Sequence, residues 1–501
     1  MADKATVEAP RDRKDILSAG GRPSRAVSAE LAYRRERIAH WDVLADSARS
    51  RWNLGGHYHK RLAGVYRFLV PPGQKVLELG CQEGDLLAAV EPSEGVGLDF
   101  SPKMIERAAG RHPNLRFILA DAHELDLGET FDVIILSDLV NDLWDVQRVL
   151  RKVRRHAAPH TRIILNTYSR LWQLPLTAAR ALRLATPMMV QNWLTVEDLS
   201  NLLNLEDLEV VSHWSEILFP LGIPLLAGLC NRFLVKLWPF RFAALTNFVV
   251  ARPQPRSAPQ DPPPVVSVVV PARNEAGHID EILRRTPEMG AGTELIFVEG
   301  GSTDDTWGAI RKALAAHPER QGKALRQAGV GKGDAVRLGF ANASGDVLMI
   351  LDADMTVPPE DLPRFYEALR SGKAEFVNGV RLVYPMEKRA MRFCNLVGNK
   401  FFSLVFSWLL NQNIKDTLCG TKVLSRTNYE RIAAGRDYFG DFDPFGDFDL
   451  IFGAARLNLK IVDLPIRYRD RIYGDTNISR WKHGRLLLRM AAFAATRIKF
   501  I

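Results

Sequence analysis

"VLMILDADMTVPP", residues 347–359, sets five apolar residues, Val347 to Leu351, directly before two aspartates one residue apart, Asp352 and Asp354. An uninterrupted apolar run of that length is the pattern of a strand buried on both faces, as in a parallel sheet covered by helices. Two carboxylates so close repel each other unless something positive lies between them. The stretch therefore predicts an α/β sheet that delivers a pair of acids to its carboxyl edge, where such sheets gather their ligands.

The segments upstream repeat the pattern. "VVSVVVPARNEAGHIDEIL" (265–283) is an apolar strand, a polar loop and a helix start, and "TELIFVEGGSTDDTW" (293–307) is a second strand ending in acid and glycine. With "GVGKGDAVRLGF" (329–340) they predict a parallel sheet with polar loops at one end. At that end Asp352 and Asp354 form a hard-oxygen pair suited to Mg²⁺ or Mn²⁺, which cancels their repulsion and binds a diphosphate in turn. A surface acid pair or helix cap is the plainer reading, and it leaves the apolar strand without a purpose.

Residues 265–480 resemble family 2 glycosyltransferases of the GT-A fold, with "DAD" as the metal motif. The resemblance implies that Pro271, Arg273, Glu275, Glu299, Asp304, Lys332, Gly333 and Arg381 line a nucleotide-sugar site. Glu299 stands where the family usually has aspartate. The branch that transfers sugar to polyprenyl phosphate is the nearest in pattern. By that likeness "DTLCGTKVLSR" (416–426) supplies Asp416, Lys422 and Arg426, and Arg469, Arg471 and Ser479 contact phosphates of donor or acceptor. Asp449 falls where the branch has glutamate and joins Asp352 and Asp354 as a catalytic candidate. A polyprenyl phosphate brings an oxygen already ionised near neutral pH, so alignment and charge neutralisation are the main tasks. A sugar-hydroxyl acceptor would need a base, for which Asp449 is the candidate.

The first half begins an α/β alternation of its own. "VLELGCQEGDLLAAV" (76–90) joins a strand to a glycine-bearing turn and a helix, "GVGLD" ends in Asp99, "LRFILADAHEL" places Asp121 after a third strand, and "FDVIILSDLVNDL" supplies a fourth. A carboxylate at the end of the second strand suits ribose hydroxyls, which a dinucleotide dehydrogenase would also show. Residues 50–250 resemble class I S-adenosylmethionine-dependent methyltransferases. The resemblance puts Glu78, Gly80 and Gly84 at the amino-acid end of S-adenosylmethionine, Asp99 on the ribose, and Asp121 with Ala122 at the adenine. Gln82 occupies a position that is usually glycine. The methyl acceptor is not legible.

"ARPQPRSAPQDPPP" (251–264) is rich in proline, which lacks an N–H and locks φ, and is expected to link the halves without joining a helix or central strand. Residues 1–49 are expected to be a disordered or helical extension, since their start lacks the apolar core of a signal peptide. Four cysteines lie far apart without a metal-binding spacing, the usage of a reducing, cytoplasmic compartment. The net charge of +9 suits anionic partners, and no nucleic-acid-reading module accompanies it.

No stretch of 18 uncharged apolar residues exists, so a spanning helix is not expected. The apolar, cation-dotted segments 217–240, 388–410 and the C-terminal helix 481–501 fit peripheral attachment to an anionic membrane face, or packing in a core. The whole reads as a two-enzyme fusion at the cytoplasmic membrane face. One alternative has a single active domain, the other serving for docking.

Overall fold

The computed structural model describes residues 7–8, 25–46, 55–181, 189–255, 262–381, 393–439, 446, 448–467 and 480–501. Two compact units divide between Gln254 and Pro255, the last two residues of the chain grouping with the first unit. Each unit is a sheet with helices against it.

In the first unit the strands are β1 (Val7–Glu8), β2 (Lys75–Leu79), β3 (Glu94–Asp99), β4 (Arg116–Leu119), β5 (Phe131–Ser137), β6 (Ala157–Tyr168), β7 (Leu208–Glu216) and β8 (Thr246–Pro253). Their order is β1-β4-β3-β2-β5-β6-β8-β7. β1 to β6 pair in parallel, and β8 runs antiparallel to both β6 and β7. The chain winds one way from β2 through β3 to β4 and the other way from β5, so a crevice opens at the carboxyl ends where the order reverses. Leu77, Leu79, Ile134 and Leu136 fill one face of the sheet and Val76, Val133 and Ile135 the other, the two-sided burial that parallel strands need.

Two helices matter to this crevice, α1 (Arg25–Asp46) and α2 (Gly55–Leu69). α1 begins inside the stretch that composition marks as a tail. β8 corrects the expectation for the linker: Ala251, Arg252 and Pro253 are strand residues between β6 and β7. Pro253 is tolerated because it is the last residue of the strand, where a missing N–H removes at most one ladder bond.

The second unit holds β9 (Val266–Ala272), β10 (Thr293–Glu299), β11 (Gly322–Arg326), β12 (Val347–Ile350), β13 (Phe376–Val380), β14 (Lys422–Ser425) and β15 (Ile461–Pro465), in the order β11-β10-β9-β12-β14-β13-β15. β11, β10, β9 and β12 are parallel as expected, but β14 is antiparallel to both β12 and β13. The all-parallel expectation thus gives way to a mixed sheet. β14 is four residues long, too short for its direction to show in any sequence pattern. Its reversal brings the loop preceding Lys422 to the edge where β12 delivers its aspartates.

Candidate active sites

In the first unit, Gly80 follows β2 with φ +71°, and a Cβ there would stand 2.9 Å from Leu139 Cδ1. Gly84 has φ +76°, and its Cβ would strike the Phe117 ring. Both glycines are thus required by backbone shape and by close approach. Gln82, between them, also takes a left-handed φ of +48°, an uncommon conformation for a residue with a side chain. Its N–H donates to Asp99 Oδ2 at 3.0 Å, and the Ser101 N–H donates to Asp99 Oδ1 at 2.9 Å. Burial lifts the Asp99 carboxyl to about 6 against these two amides.

Asp121 caps the turn Ala122–Glu124, accepting from His123 N and His123 Nδ1 at 2.9 and 2.7 Å. Burial raises the Asp121 carboxyl, but His123 and Arg34 outweigh it and hold it below the usual range. Buried Glu78 has its carboxyl raised well above normal by burial, and its Oε2 finds no hydrogen-bond partner among the described residues. An unpartnered buried oxygen, two glycines that admit close approach and the acids Asp99 and Asp121 make a donor set that fits the amino acid, ribose and adenine parts of S-adenosylmethionine.

The sequence did not reveal what covers this cleft. Gly80, Asp99, Ala120, Asp121, Ala122 and Leu139 share its lining with Glu30, Tyr33, Arg34 and Arg37 of α1. Arg34 Nε lies 3.2 Å from Asp121 Oδ2, Arg37 Nη2 donates to Val190 O at 2.5 Å, and Ser101 Oγ donates to Asp42 at 2.5 Å. The apolar residues of α1 do not gather on one side, so periodicity carries no signal for it. The helix docks through guanidinium and carboxylate contacts instead.

In the second unit the strand ends are braced together. Thr303 N donates to Asn274 Oδ1 at 2.7 Å, Glu275 N to Thr306 Oγ1 at 2.9 Å, and Ala276 N to Asp304 Oδ2 at 3.3 Å, tying the loop after β9 to the loop after β10. Glu275 accepts from or donates to buried His278 at 2.9 Å, and Glu299 accepts the Ser302 N–H at 2.6 Å. Pro271 lies within β9, and Arg273 is exposed just beyond it.

The aspartate pair leaves the end of β12 as expected. Lys332 Nζ, on the first turn of the helix Lys332–Ala341, lies 2.6 Å from Asp352 Oδ1. Burial alone would raise the Asp352 carboxyl, but Lys332, then Lys422 and Arg381, outweigh it and hold it below the usual range. Asp354 Oδ1 accepts from Thr356 N and Oγ1 at 3.2 and 2.7 Å, which fixes its direction. Gly420 sits against Asp352: a Cβ there would lie 2.0 Å from Asp352 Oδ2 and 2.2 Å from Lys332 Nζ. The close approach at Gly420 leaves Asp352 room, and Asp352 with Asp354 two residues on is an oxygen pair that fits a hard divalent cation bound partly by a diphosphate. Gly333 is packed so closely that a Cβ on Gly446 would come within 2.4 Å of its Cα.

The remaining predicted residues fall out differently. Arg381 makes a two-pronged bond to buried Asp416, Nε to Oδ2 at 2.7 Å and Nη2 to Oδ1 at 2.9 Å, and so lines the site through that pair. Lys422 is fully buried and donates to Cys419 O, which places its charge beneath Asp352 and Asp416 rather than at a surface phosphate. Arg426 follows the far end of β14, donating to Gly345 O at 2.9 and 2.6 Å and to Ala343 O at 2.8 Å. The sheet direction therefore removes it from the aspartate edge and from acceptor phosphate. Asp449 is buried and accepts from Arg436 Nε at 2.8 Å. Arg469, Arg471 and Ser479 lie outside the described residues.

Segment 217–240, open between interface and core, forms a chain of short helical turns that bury Ala227, Asn231, Val235 and Lys236 and expose Leu225, Leu229, Phe233, Trp238 and Phe240. Leu225 is 92% and Trp238 75% exposed. In the helix Phe393–Leu410, Phe401 and Leu404 are also exposed. Among the described residues no helix is long and apolar enough to cross a membrane.

Comparison with known proteins matches each unit to a family. Residues 54–213 match the family model described as methyltransferase domain, and residues 267–432 match glycosyl transferase family 2. The chain thus carries a methyltransferase domain within its first unit and a family 2 glycosyltransferase domain within its second. It is 29% identical over 219 residues to glycosyltransferase AglD of Haloferax volcanii, covering 42% of this chain and 34% of that one. Over 219 residues it is 33% identical to dolichol-phosphate mannosyltransferase of Pyrococcus furiosus, covering 42% and 59%. Over 116 residues it is 35% identical to undecaprenyl-phosphate 4-deoxy-4-formamido-L-arabinose transferase of Klebsiella pneumoniae, covering 22% and 36%. The chain spans from about a third to three fifths of the length of these relatives.

Proposed function

We propose that the second domain transfers a sugar from a nucleotide-sugar to polyprenyl phosphate, and that the first transfers a methyl group from S-adenosylmethionine to an acceptor of the same pathway. The observation that carries the first part is the edge of the β12 strand: two acids, a lysine on Asp352, and Gly420 pressed against that lysine and Asp352. Asp352 and Asp354 would hold Mg²⁺ or Mn²⁺, which when bound supplies positive charge to the departing diphosphate. Lys332 adds a cation at the same place, and it, buried Lys422 and Arg381 hold the Asp352 carboxyl below its usual range. The braced loops after β9 and β10 hold the nucleotide between rigid strand ends. An acceptor phosphate needs no strong base, so aligned charge suffices.

The relatives named for dolichol phosphate and undecaprenyl phosphate support a lipid acceptor. The apolar side chains exposed between Leu225 and Phe240 support attachment to an anionic membrane surface, since aromatic and leucine side chains mixed with Arg232 and Arg241 suit the headgroup plane. The first domain runs through β8 to Pro253, so the link to the second begins past residue 251.

The test is incubation of the full chain with membranes and a panel of labelled nucleotide-sugars, scored for label entering the organic phase. Asp354→Asn should lower transfer by ~10²–10³, as loss of one preorganised electrostatic contact does. Chelator should mimic it, and Mg²⁺ or Mn²⁺ should reverse the chelator alone. Undiminished transfer by Asp354→Asn, or label confined to water-soluble glycosides, would sink the reading.

A further inference from the structure

Beside the cofactor cleft lies a polar cluster that this reading leaves without a role. Asp138 follows β5 directly, with a left-handed φ of +55°, and its neighbour Leu139 is the side chain packed against Gly80 in the cofactor cleft. The strained turn aims Asp138 away from the sheet ladder and toward α2 and the end of β6. Tyr58 OH donates to its Oδ1 and Oδ2 at 2.9 and 3.0 Å, and Asn166 Nδ2 donates to Oδ1 at 2.5 Å. Tyr66 OH in turn donates to Asn166 Oδ1 at 2.7 Å, fixing that amide's orientation.

Aromatic rings flank the carboxylate. The Tyr168 ring centroid stands 6.2 Å from that of Tyr58 and 6.4 Å from that of Trp193. Trp193 is brought there by Asn192, whose N–H donates to Asn141 O and whose Nδ2 donates to Leu143 O, both at 2.7 Å. Burial pushes the Asp138 carboxyl to about 7, against the bonds from Tyr58 and Asn166 and with Asp142 adding to the rise. A carboxyl so placed gains and loses a proton near neutral pH, which is what a general base requires.

We infer that Asp138 is the base of the methyl-transfer reaction and that the acceptor is a hydroxyl group on a ring lying against the half-buried Tyr168 and Trp193, as a sugar ring would. The inference rests on the methyltransferase reading above. The acceptor oxygen forms the new C–O bond as the methyl carbon leaves the sulfonium sulfur, which keeps the C–S electron pair. The hydroxyl proton passes to Asp138. An amine attacks as the free base and needs no proton removed beforehand, so a carboxyl poised beside the cofactor cleft answers the need of an alcohol.

The experiment uses the full chain, methyl-labelled S-adenosylmethionine, methyl hexopyranosides and nucleoside-diphosphate hexoses as hydroxyl probes, and hexosamines as amine probes. Calorimetry measures cofactor binding separately. Asp138→Asn should keep the cofactor Kd within about threefold while methyl transfer to a hydroxyl probe falls ~10²–10⁴. The rise of the wild-type rate near pH 7 should vanish with it. Tyr58→Phe removes a bond that favours the carboxylate, so it should move that rise to higher pH, which keeps the idea testable if the asparagine variant does not fold. Retained transfer by Asp138→Asn, or an unmoved profile in Tyr58→Phe, overturns the assignment of the base. Cofactor binding by the wild type with methylation of amines alone, or of no hydroxyl probe, overturns the acceptor class. Absence of cofactor binding by the wild type overturns the methyltransferase reading itself.

Discussion

Replacing Gly420 by alanine separates the chemistry of the sugar-transfer site from its stability. The added Cβ would lie 2.0 Å from Asp352 Oδ2, so the carboxylate has to retreat by about 1.5 Å to reach an ordinary contact near 3.5 Å. Lys332 Nζ, 2.2 Å away, must move too. Both are terminal side-chain atoms rather than backbone, so the fold can absorb the change. Gly420 has no left-handed φ, and alanine there lowers the entropy of the unfolded chain by an amount worth about 0.4–1 kcal/mol. The thermal midpoint is therefore expected to stay within a few degrees of wild type. Displacement of a reacting or charge-stabilising group by about 1 Å costs ~10² in rate. That is a barrier increase of about 2.7 kcal/mol, at 1.36 kcal/mol per tenfold. The assay is label entering the organic phase from a nucleotide-sugar, with S-adenosylmethionine binding and thermal unfolding as controls. Transfer at the wild-type rate would refute the role given to Gly420. A large fall in midpoint would refute the claim that only the site is strained.

Asp99 has a folded-state carboxyl raised to about 6, so the stability it contributes is fully present below its unfolded value near 3.8 and is lost as pH rises through about 6. Asp99→Asn should flatten that part of the stability curve, by on the order of 3 kcal/mol between pH 4 and 7 at about 1.4 kcal/mol per unit; unchanged pH dependence in urea unfolding would count against it. Gln82→Gly should relieve the left-handed backbone at φ +48° and stabilise the first unit by up to about 1 kcal/mol, read as a higher unfolding midpoint. Trp238→Glu with Leu225→Glu should cut sedimentation with anionic liposomes by more than tenfold, since each exposed apolar side chain contributes about 1.5–3 kcal/mol when buried in lipid; equal sedimentation of the double variant would remove segment 217–240 from the membrane contact.

Strand ends were the most legible part of the molecule, because buried parallel strands are uninterrupted apolar runs and their last residues are polar for a reason. Thr293–Glu299 coincides with its apolar stretch, and Asp99, Asp121, Asp352 and Asp354 all stand at strand ends. Features made by pairing across the sheet were not legible. Arg381 reads as a nucleotide-sugar ligand until Asp416 is brought against it, and Lys422 as an acceptor-phosphate ligand until β14 buries it. Asp138 drew no notice because a lone acid after a strand means nothing until Tyr58, about eighty residues earlier in the chain, is placed on it. A helix within residues 1–49 was among the expectations, but the docking of α1 was not legible, because it rests on ion pairs, hydrogen bonds and the Tyr33–Trp144 ring contact, which leave no periodic apolar mark.

The reversed direction of β14 decides where this protein can grow. A parallel strand presents the loop that follows it to the ligand edge, whereas β14 presents the loop that precedes it, the segment from Asn411 to Thr421 that carries Asp416 and Gly420. Extra residues in that loop would shift the floor beneath Asp352. Extra residues after Ser425 would emerge at the opposite rim, where Arg426 is tied to Ala343 and Gly345, and leave the sugar-transfer edge as it was. The two ends of a four-residue strand thus differ in their tolerance of insertion: one end holds the site's dimensions, and the other is free ground for new sequence.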